Sequence, residues 1–302
     1  MKNNINAWKR KRLIFIIAML FIPLAQFVLL TFWPTIKTIF MAFESPTGET
    51  IGFASFSENW NTFVIEWTTG TKWKRAILNS LGYFPSSTLV SLPLSIITAY
   101  FLYKKVPLSS VYKIIFFIPS IISIVVMGLA FRNMFSLNGP VNSLLKWLGL
   151  NANDIPNWFN DAKITMHVLY FYSIWVGIGY NCILLFGALS RVPVEVMESA
   201  ALDGCGTFRE IFTICVPIMW PTISSMIIFG VSTVFTMFLH TEVLTGGTGD
   251  TWTVTQLIMQ KIKSGKNPNY AATLSLILTA IAVPIVQTVR YLLDKFCDSI
   301  EV

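Results

Sequence analysis

Six long apolar stretches alternate with more polar segments along the chain. Each stretch holds about 20 residues or more, enough for an α-helix to cross roughly 30 Å of hydrocarbon. The pattern therefore predicts an all-α integral membrane protein with six spanning helices. Prolines inside the stretches predict kinks. They are tolerated in membrane helices because neighbouring groups satisfy the freed backbone carbonyls. The predicted spans are 13–33, 76–103, 112–133, 164–189, 222–244 and 271–293. The first contains Pro23, and the later ones contain Pro85, Pro93, Pro119 and Pro284.

The composition supports a membrane protein and excludes an ordinary soluble enzyme. Hydrophobic residues make up 54% of the chain and charged residues 12%, with a mean hydropathy of +0.63. Soluble domains carry about 25% charged residues. The net charge of +7 raises the possibility of a nucleic-acid partner. Since no basic helix with interleaved aromatic residues stands out, we expect no nucleic acid, and membrane orientation explains the charge better.

A basic cluster before the first span sets the predicted orientation. Lys9, Arg10, Lys11 and Arg12 precede the apolar run, so the positive-inside rule keeps the N-terminus in the cytoplasm. The run is too long for a cleaved signal peptide, and we expect it to be retained. Six spans then place both termini inside. The predicted divisions are a basic N-terminus (1–12), a first helix with an outer loop (13–75), a five-helix core (76–293) and a cytoplasmic C-terminus (294–302).

No residue pattern indicates bond chemistry on this chain. The four cysteines lack CxxC spacing, so we expect free thiols rather than a zinc site or a disulfide framework. His167 and His240 are isolated in apolar runs, where a packed, hydrogen-bonded histidine is favoured over a ligand or a proton relay. The glycine-rich segment 246–250 lacks the Lys of a phosphate-binding loop. Arg132 and Glu242 lie near outer helix ends, where snorkelling to the interface is favoured.

The segment 190–221 differs in composition from a simple basic loop. It predicts a short helix over Pro193–Asp203, because Pro193 suits a first turn and Gly204 suits a C-terminal stop. A second helix is expected from about Thr207, ended by Pro217 and Pro221. Such a hairpin presents an amphipathic face to a partner protein, although packing on the bundle is the alternative.

This hairpin carries a family resemblance. Glu198-Ser199-Ala200-Ala201-Leu202-Asp203-Gly204, followed by Ile214-Cys215-Val216-Pro217, resembles the Glu-Ala-Ala loop of binding-protein-dependent ATP-binding-cassette (ABC) importer permeases. Ser199 and Val216 depart from the usual residues. The resemblance implies a six-helix ABC importer permease bundle whose coupling helix docks in a cleft of an ATPase subunit. The residues implied to serve this coupling are Glu198, Ala200, Asp203, Gly204 and Pro217.

Further motifs between about Asn79 and Arg290 resemble the carbohydrate-uptake branch of that family. The branch usually has an Asp after Phe238 and a Gly-Pro after Gly247, where this chain has Leu239 and Thr248-Gly249. The motifs that carry the resemblance are Asn79-Ser80, Phe116-Phe117-Ile118-Pro119, Asn138-Gly139-Pro140-Val141-Asn142, Trp175-Val176-Gly177-Ile178-Gly179-Tyr180-Asn181 and Leu244-Thr245-Gly246-Gly247.

Two helices offer residues suited to sugar recognition, which needs aromatic faces and neutral hydrogen-bonding groups. Tyr180 and Asn181 lie in the middle of the fourth span, with Gly177 on the same face as Tyr180. A stripe at positions i, i+3, i+4 and i+7 marks the fifth span. By resemblance these positions line the sugar pathway, while close helix packing is an even alternative for the stripe. The stripe is Gly230, Thr233, Val234 and Met237.

The resemblance implies a permease subunit of an ATP-driven sugar importer that works by alternating access. It implies a second homologous permease as a heterodimer partner, two ATPase subunits that bind the ATP and Mg, and an extracellular solute-binding protein. We expect no cofactor, metal or catalytic residue on this chain. Two alternatives remain: the same machinery for a non-sugar solute, and an ATPase-independent carrier or channel, for which no inverted repeat is visible.

Overall fold

The computed structural model describes residues 2–45, 52–151, 153–265 and 267–298. The last four residues of the predicted C-terminal segment lie outside these ranges. The backbone of Lys9 and Arg10 is described, but their side chains are not. Regular structure in the described part is helical, as predicted. The first eight helices are α1 (Lys2–Phe27), α2 (Trp33–Phe43), α3 (Phe53–Thr69), α4 (Lys72–Pro85), α5 (Leu92–Tyr103), α6 (Ser109–Ile121), α7 (Ile124–Met134) and α8 (Pro140–Trp147). The others are α9 (Thr165–Leu189), α10 (Val194–Leu202), α11 (Thr207–Glu210), α12 (Val216–Thr236), α13 (Leu239–Leu244), α14 (Val254–Ser264) and α15 (Pro268–Asp298).

Within the described residues, 5 helical segments are long and apolar enough to span a membrane, or up to 6 if one bent pair counts as a single span. The segments are Lys11–Phe43, Lys72–Tyr103, Thr165–Leu189, Thr207–Thr236 and Pro268–Lys295. They correspond to the predicted spans one, two, four, five and six. The short helix α8 (Pro140–Trp147) follows the bent pair and precedes α9.

The third predicted span is not one helix. Helices α6 and α7 meet at 105° across a short break. At this break Ile122 and Ser123 have extended backbone, with ψ values of 144° and 134°. The prediction of a kinked but continuous helix over 112–133 was therefore wrong, because the chain leaves helical geometry three residues after Pro119 rather than bending around it.

Three prolines lie inside continuous helical segments, although Pro217 was expected to end its helix. Pro34, Pro93 and Pro217 each follow a π-helical segment, Val28–Phe32, Ser86–Ser91 and Ile211–Cys215 respectively. A proline ring clashes with the carbonyl four residues earlier in an α-helix. A wider π turn just before the proline re-registers the backbone hydrogen bonds, as in the bond from Leu92 N–H to the Ser87 carbonyl.

Three predicted boundaries differ from those in the structure. The first spanning helix continues past Trp33 to Phe43, so the outer segment begins later than residue 34. The second arm of the hairpin does not stop at Pro217 or Pro221 but runs without interruption from Thr207 to Thr236. The fifth span then ends at Thr236, eight residues before its predicted end. The segment 190–221 is therefore a short helix followed by the first turns of a long one.

The described residues form two compact units. The first comprises the chain up to Val64 together with Lys261–Ile277, and the second comprises Ile65–Gln260 and the residues from Leu278 onwards. Polar contacts organise the first unit. The hydroxyl of Thr273 donates to the Ala42 carbonyl at 3.1 Å and accepts a hydrogen bond from Asn59 Nδ2 at 3.0 Å. All three residues are buried, so these bonds satisfy groups that water does not reach.

The second unit contains two separate apolar clusters. One is built around Tyr83, Phe131, Leu169 and Tyr172. The other is built around Tyr100, Cys182, Leu185, Leu189, Ile211 and Met219. Helix α9 contributes to both, with residues up to Tyr172 in the first cluster and residues from Cys182 onwards in the second. The part of α9 between the clusters includes residues that line a cavity.

Candidate functional site

A cavity of about 440 Å³ lies in the second unit. It brings together residues of the α4–α5 segment, the α6–α7 break, α9 and α12. Six of the seven residues predicted to line a solute pathway lie on its wall. The predicted lining residues found there are Gly177, Tyr180, Asn181, Gly230, Thr233 and Met237, joined by Ser87, Ser91, Leu92, Ser120, Ile124, Ser173, Val176, Met226, Phe229 and His240.

Val234 is the predicted pathway residue that the cavity does not include. Its side chain is 8% exposed and is directed into the protein interior. Gly230 and Val234 are four residues apart on α12, so they lie on the same helical face. Packing explains the burial of Val234, and its assignment to the pathway stays a prediction.

Tyr180 and Asn181 lie side by side but have different surroundings. Tyr180 is 54% exposed, so its ring presents a broad face to the space beside α9. Asn181 donates a hydrogen bond from Nδ2 to Ser91 Oγ at 3.3 Å. One of the two predicted sugar contacts is therefore free to meet a ligand, while the other also ties α9 to the π segment that ends at Ser91.

The predicted glycines allow helices to approach as well as leaving room in the cavity. A Cβ atom on Gly177 would lie 3.2 Å from Ser91 Oγ. A Cβ atom on Gly230 would clash with the hydroxyl of Thr88 and would lie 3.0 Å from Ser87 Oγ. Both glycines contact the π segment Ser86–Ser91 and also line the cavity. At Gly230, therefore, close helix packing and a place on the cavity wall occur together.

Sequence reasoning missed the serines and the histidine of the cavity. Ser87 and Ser91 are four residues apart and share a helical face, and Ser120 precedes the α6–α7 break. Isolated small polar residues in an apolar run give little periodic signal. The spacing of Ser87 and Ser91 on one face of the second span was the signal that could have identified them. Ser173 on α9 and His240 on α13 complete the set.

His240 differs from the packed, hydrogen-bonded residue that the sequence predicted. Its Nδ1 atom is buried with no hydrogen-bond partner among the described residues. Its ring meets the Tyr172 ring edge to face at 5.3 Å. His167 forms the expected hydrogen bond, from its ring to the Lys163 carbonyl at 3.1 Å, but it is exposed rather than packed. His240 therefore offers an unused hydrogen-bonding atom beside the cavity.

The coupling hairpin has the local geometry that its sequence predicts. Helix α10 ends at Leu202, Asp203 occupies its C-terminal cap, and Gly204 has a φ of +68°. This left-handed conformation favours glycine, because other residues meet a steric penalty there. Ala200 is buried, whereas Glu198 is exposed. Pro217 is half-buried and follows the π segment of the second arm.

A shallow groove of about 380 Å³ lies on this hairpin, and Ala200 and Asp203 are among its lining residues. Apolar side chains nearby are strongly exposed: Leu202 at 89%, Phe208 at 69% and Val194 at 59%. A soluble monomer rarely exposes such residues together, and exposed apolar patches mark interaction sites. Glu198 and Gly204 do not line the groove itself.

The two charges expected to snorkel behave differently. Arg132 is exposed in the last turn of α7. Glu242 instead accepts a hydrogen bond from Gln256 Nε2 at 3.0 Å, and Gln256 is 1% exposed. Glu242 is therefore held by a buried amide on α14, and snorkelling of its carboxylate stays a prediction. The thiols of Cys182, Cys205 and Cys215 are free, as predicted.

These features define a class of protein: a multi-pass membrane permease with a solute-sized cavity among its helices and a hairpin that presents an apolar surface. The chain belongs to the family described as binding-protein-dependent transport system inner membrane component, which matches residues 91–296. That range covers the cavity-lining helices α9 and α12 and the whole hairpin. The chain is accordingly a membrane-embedded permease component of a binding-protein-dependent importer.

Named relatives and a solved structure agree with this assignment. The chain is 26% identical to the diacetylchitobiose uptake system permease protein NgcF of Streptomyces coelicolor, covering 90% of this chain and 80% of that protein. It is 25% identical to the arabinooligosaccharides transport system permease protein AraP of Halalkalibacterium halodurans, covering 90% and 85%. A bacterial alginate ABC transporter in complex with alginate pentasaccharide-bound periplasmic protein matches with a TM-score of 0.80 at 23% identity, covering 96% and 98%. The last similarity shows the fold.

Proposed function

We propose that this permease imports a sugar or oligosaccharide, and that the solute passes through the cavity between α9, α12 and the α4–α5 segment. The observation that carries the proposal is the chemistry of the cavity wall. Its polar side chains are hydroxyl, amide and imidazole groups, and none of its lining residues is Asp, Glu, Lys or Arg. Such groups suit the neutral hydroxyls of a sugar, while Tyr180 offers an aromatic face for its apolar side.

The names of the relatives support a carbohydrate as the solute. One is an uptake permease for diacetylchitobiose and the other a transport permease for arabinooligosaccharides. Both are short saccharides built from uncharged units. A neutral saccharide agrees with the uncharged wall of the cavity, because a charged solute brought out of water needs a paired charge.

Coupling to ATP hydrolysis is assigned to the hairpin 190–221. Leu202 and Phe208 project from it with most of their surfaces exposed, and they suit a groove on an ATPase subunit. Glu198, Ala200, Asp203 and Gly204 would hold the short helix and its turn, with Pro217 at the start of the second arm. ATP and Mg would be bound by the ATPase partners, and no catalysis is assigned to this chain.

The complete importer would contain four kinds of chain. A second, homologous permease would complete the pathway as a heterodimer partner, two ATPase subunits would bind inside, and an extracellular solute-binding protein would deliver the sugar. The basic residues before the first span place the N-terminus in the cytoplasm by the positive-inside rule. Six crossings, with α6 and α7 together as the third, then return the C-terminus to the cytoplasm.

A matched pair of glycine variants tests the coupling. A tagged chain is extracted gently from its native membranes, and the copurifying proteins are identified by mass spectrometry. Gly204→Pro removes a positive φ of +68° from the coupling turn, whereas Gly149→Pro removes one of +96° elsewhere. Neither glycine has atoms within 4 Å of its would-be Cβ. We expect an ATPase and a second permease to copurify with the parent chain and with Gly149→Pro. We expect the ATPase to be lost with Gly204→Pro.

Solute identity is tested on the same preparation. The copurified binding protein is denatured, and the released ligand is analysed for saccharides by mass spectrometry. Uptake of that saccharide is then measured with the Tyr180→Ala, Asn181→Ala double variant. We expect reduced uptake with the ATPase still bound. A parent chain that purifies alone and moves solute in liposomes without an ATPase would overturn the importer assignment.

A further inference from the structure

An ion pair between a partly exposed lysine and a buried carboxylate joins the hairpin 190–221 to the second spanning segment. Lys104 Nζ lies 2.6 Å from Glu210 Oε1, with the Glu210 side chain 6% exposed and the Lys104 side chain 35% exposed. Glu210 ends α11, directly after the turn of the hairpin. Lys104 caps the C-terminus of α5, where its charge also favours the helix dipole. The pair therefore connects two elements that are far apart in sequence.

The environment of the carboxylate makes this contact specific. A buried carboxylate is strongly unfavourable unless a partner compensates its charge. Lys104 Nζ also lies over the ring of Tyr100, 5.6 Å from its centroid. Lys104 is the cation that lies within ion-pair distance of Glu210 among the contacts described for this carboxylate.

Both elements joined by the pair continue into the cavity. From Glu210 the helical segment runs through Ile211–Cys215 into α12, which carries Gly230 and Thr233. From Lys104 the α4–α5 segment runs back to Ser91 and Ser87. The same two segments touch again where Gly230 meets Thr88. They are thus fixed to each other at the hairpin and at the cavity wall.

We propose that Lys104 and Glu210 are positioning residues that make the hairpin and the second spanning segment move as one body. Displacement of the hairpin by an ATPase would then be passed to both helices that line the cavity, rather than to α12 alone. The pair contacts no solute and no nucleotide in this scheme. The inference rests on the proposed function, because it assumes that the hairpin is the surface on which the ATPase acts.

The test measures how far nucleotide changes access to the cavity. In a background without native cysteines, Ser173→Cys places one thiol in the cavity wall of the complete importer in liposomes. The rate of labelling with N-ethylmaleimide is compared between the nucleotide-free complex and the complex trapped with ATP and vanadate. The variants are Glu210→Gln, Lys104→Met and the charge swap Lys104→Glu with Glu210→Lys. Arg290→Met with Asp294→Asn, an exposed pair 3.6 Å apart, is the control.

We expect each single variant to keep its ATPase and hydrolyse ATP, while the nucleotide-dependent change in labelling falls by at least about fivefold. The swap should restore most of that change, and the control should retain all of it. An unchanged response in both single variants, or a swap that assembles no better or responds no better than the single variants, would overturn the proposal. If the labelling rate of the parent complex is the same with and without trapped nucleotide, the proposed function is overturned, and this inference with it.

Discussion

Asn181 on α9 and Ser91 at the end of the π segment are joined by a hydrogen bond of 3.3 Å across 90 residues of sequence. Ser91 is 2% exposed. The bond lies on the cavity wall, so it contributes to the shape of the site and to the packing of two helices. We expect the two side chains to be energetically coupled.

A double-mutant cycle measures that coupling. Ser91→Ala and Asn181→Ala should each destabilise the permease, and their effects should be non-additive by about 0.5–1.5 kcal/mol, the net value of one hydrogen bond. The measurement is the free energy of unfolding in mixed micelles. Ser91→Ala combined with Asn151→Ala, at an exposed position between α8 and α9, should be additive. Additivity in the Asn181 cycle would contradict the hydrogen bond.

Gly179 marks a close approach between α9 and α6. A Cβ atom at this position would clash with the backbone carbonyl of Phe116 and would lie 2.9 Å from Ser120 Oγ. A backbone atom does not move aside as a flexible side chain does, so Gly179→Ala should cost about 1–3 kcal/mol through overpacking. Thermal unfolding in detergent gives the shift in Tm.

Gly187 provides the matched control on the same helix. It has no atoms within 4 Å of its would-be Cβ. Gly187→Ala should leave Tm unchanged or raise it, because Ala is favoured over Gly inside helices by up to about 1 kcal/mol. Equal Tm values for Gly179→Ala and the parent would show that α6 and α9 do not approach as closely as described.

Leu202 is the most exposed large hydrophobic side chain of the hairpin, at 89%. If it enters the ATPase groove, Leu202→Arg should weaken association with the ATPase by roughly 30-fold or more, since an interface hot spot contributes about 2 kcal/mol or more. Association is measured by titrating purified ATPase onto the permease in nanodiscs. Leu148→Arg, at a residue 61% exposed outside the hairpin, is the control. Equal affinity for the two variants would remove Leu202 from the interface.

Asn79 anchors the glycine-rich segment 246–250 and the residues that follow it. Its Nδ2 donates to the Asp250 carbonyl at 2.8 Å and to the Trp252 carbonyl at 2.9 Å. Asn79→Ala should therefore leave two carbonyls without their partner and destabilise the second unit by about 1–3 kcal/mol. Thermal unfolding gives this effect, with Asn61→Ala on an exposed face of α3 as the control. A Tm for Asn79→Ala that matches Asn61→Ala would contradict the anchoring role.

The membrane class and the hairpin were readable in the sequence, because both depend on local properties. Whether an apolar run can span a membrane depends on its own length and composition. Helix α9, Thr165–Leu189, matched its predicted span within one residue. The turn of the hairpin was likewise local: Gly204 tolerates the left-handed backbone that ends α10. Neither required knowledge of neighbouring helices.

The prolines show where local reasoning failed. Proline was expected to end the second arm of the hairpin at Pro217, but a preceding π turn accommodates it and the helix continues. In contrast, the chain broke near Pro119, where a simple kink was expected. The same residue type ends one helix and continues another because backbone hydrogen bonds are re-registered or abandoned according to the packing around them.

The sequence by itself determined the number of apolar segments, their orientation preference and the residues of the hairpin turn, since these follow from hydrophobicity, charge and backbone preference over a few residues. Tertiary structure alone decided which small polar residues meet. Ser87, Ser91, Ser173 and His240 come from distant segments, and each is unremarkable in its own helix. Their common cavity, and the burial of Glu210 against Lys104, exist only because separate helices pack at particular faces, a relationship that periodicity within one helix does not encode.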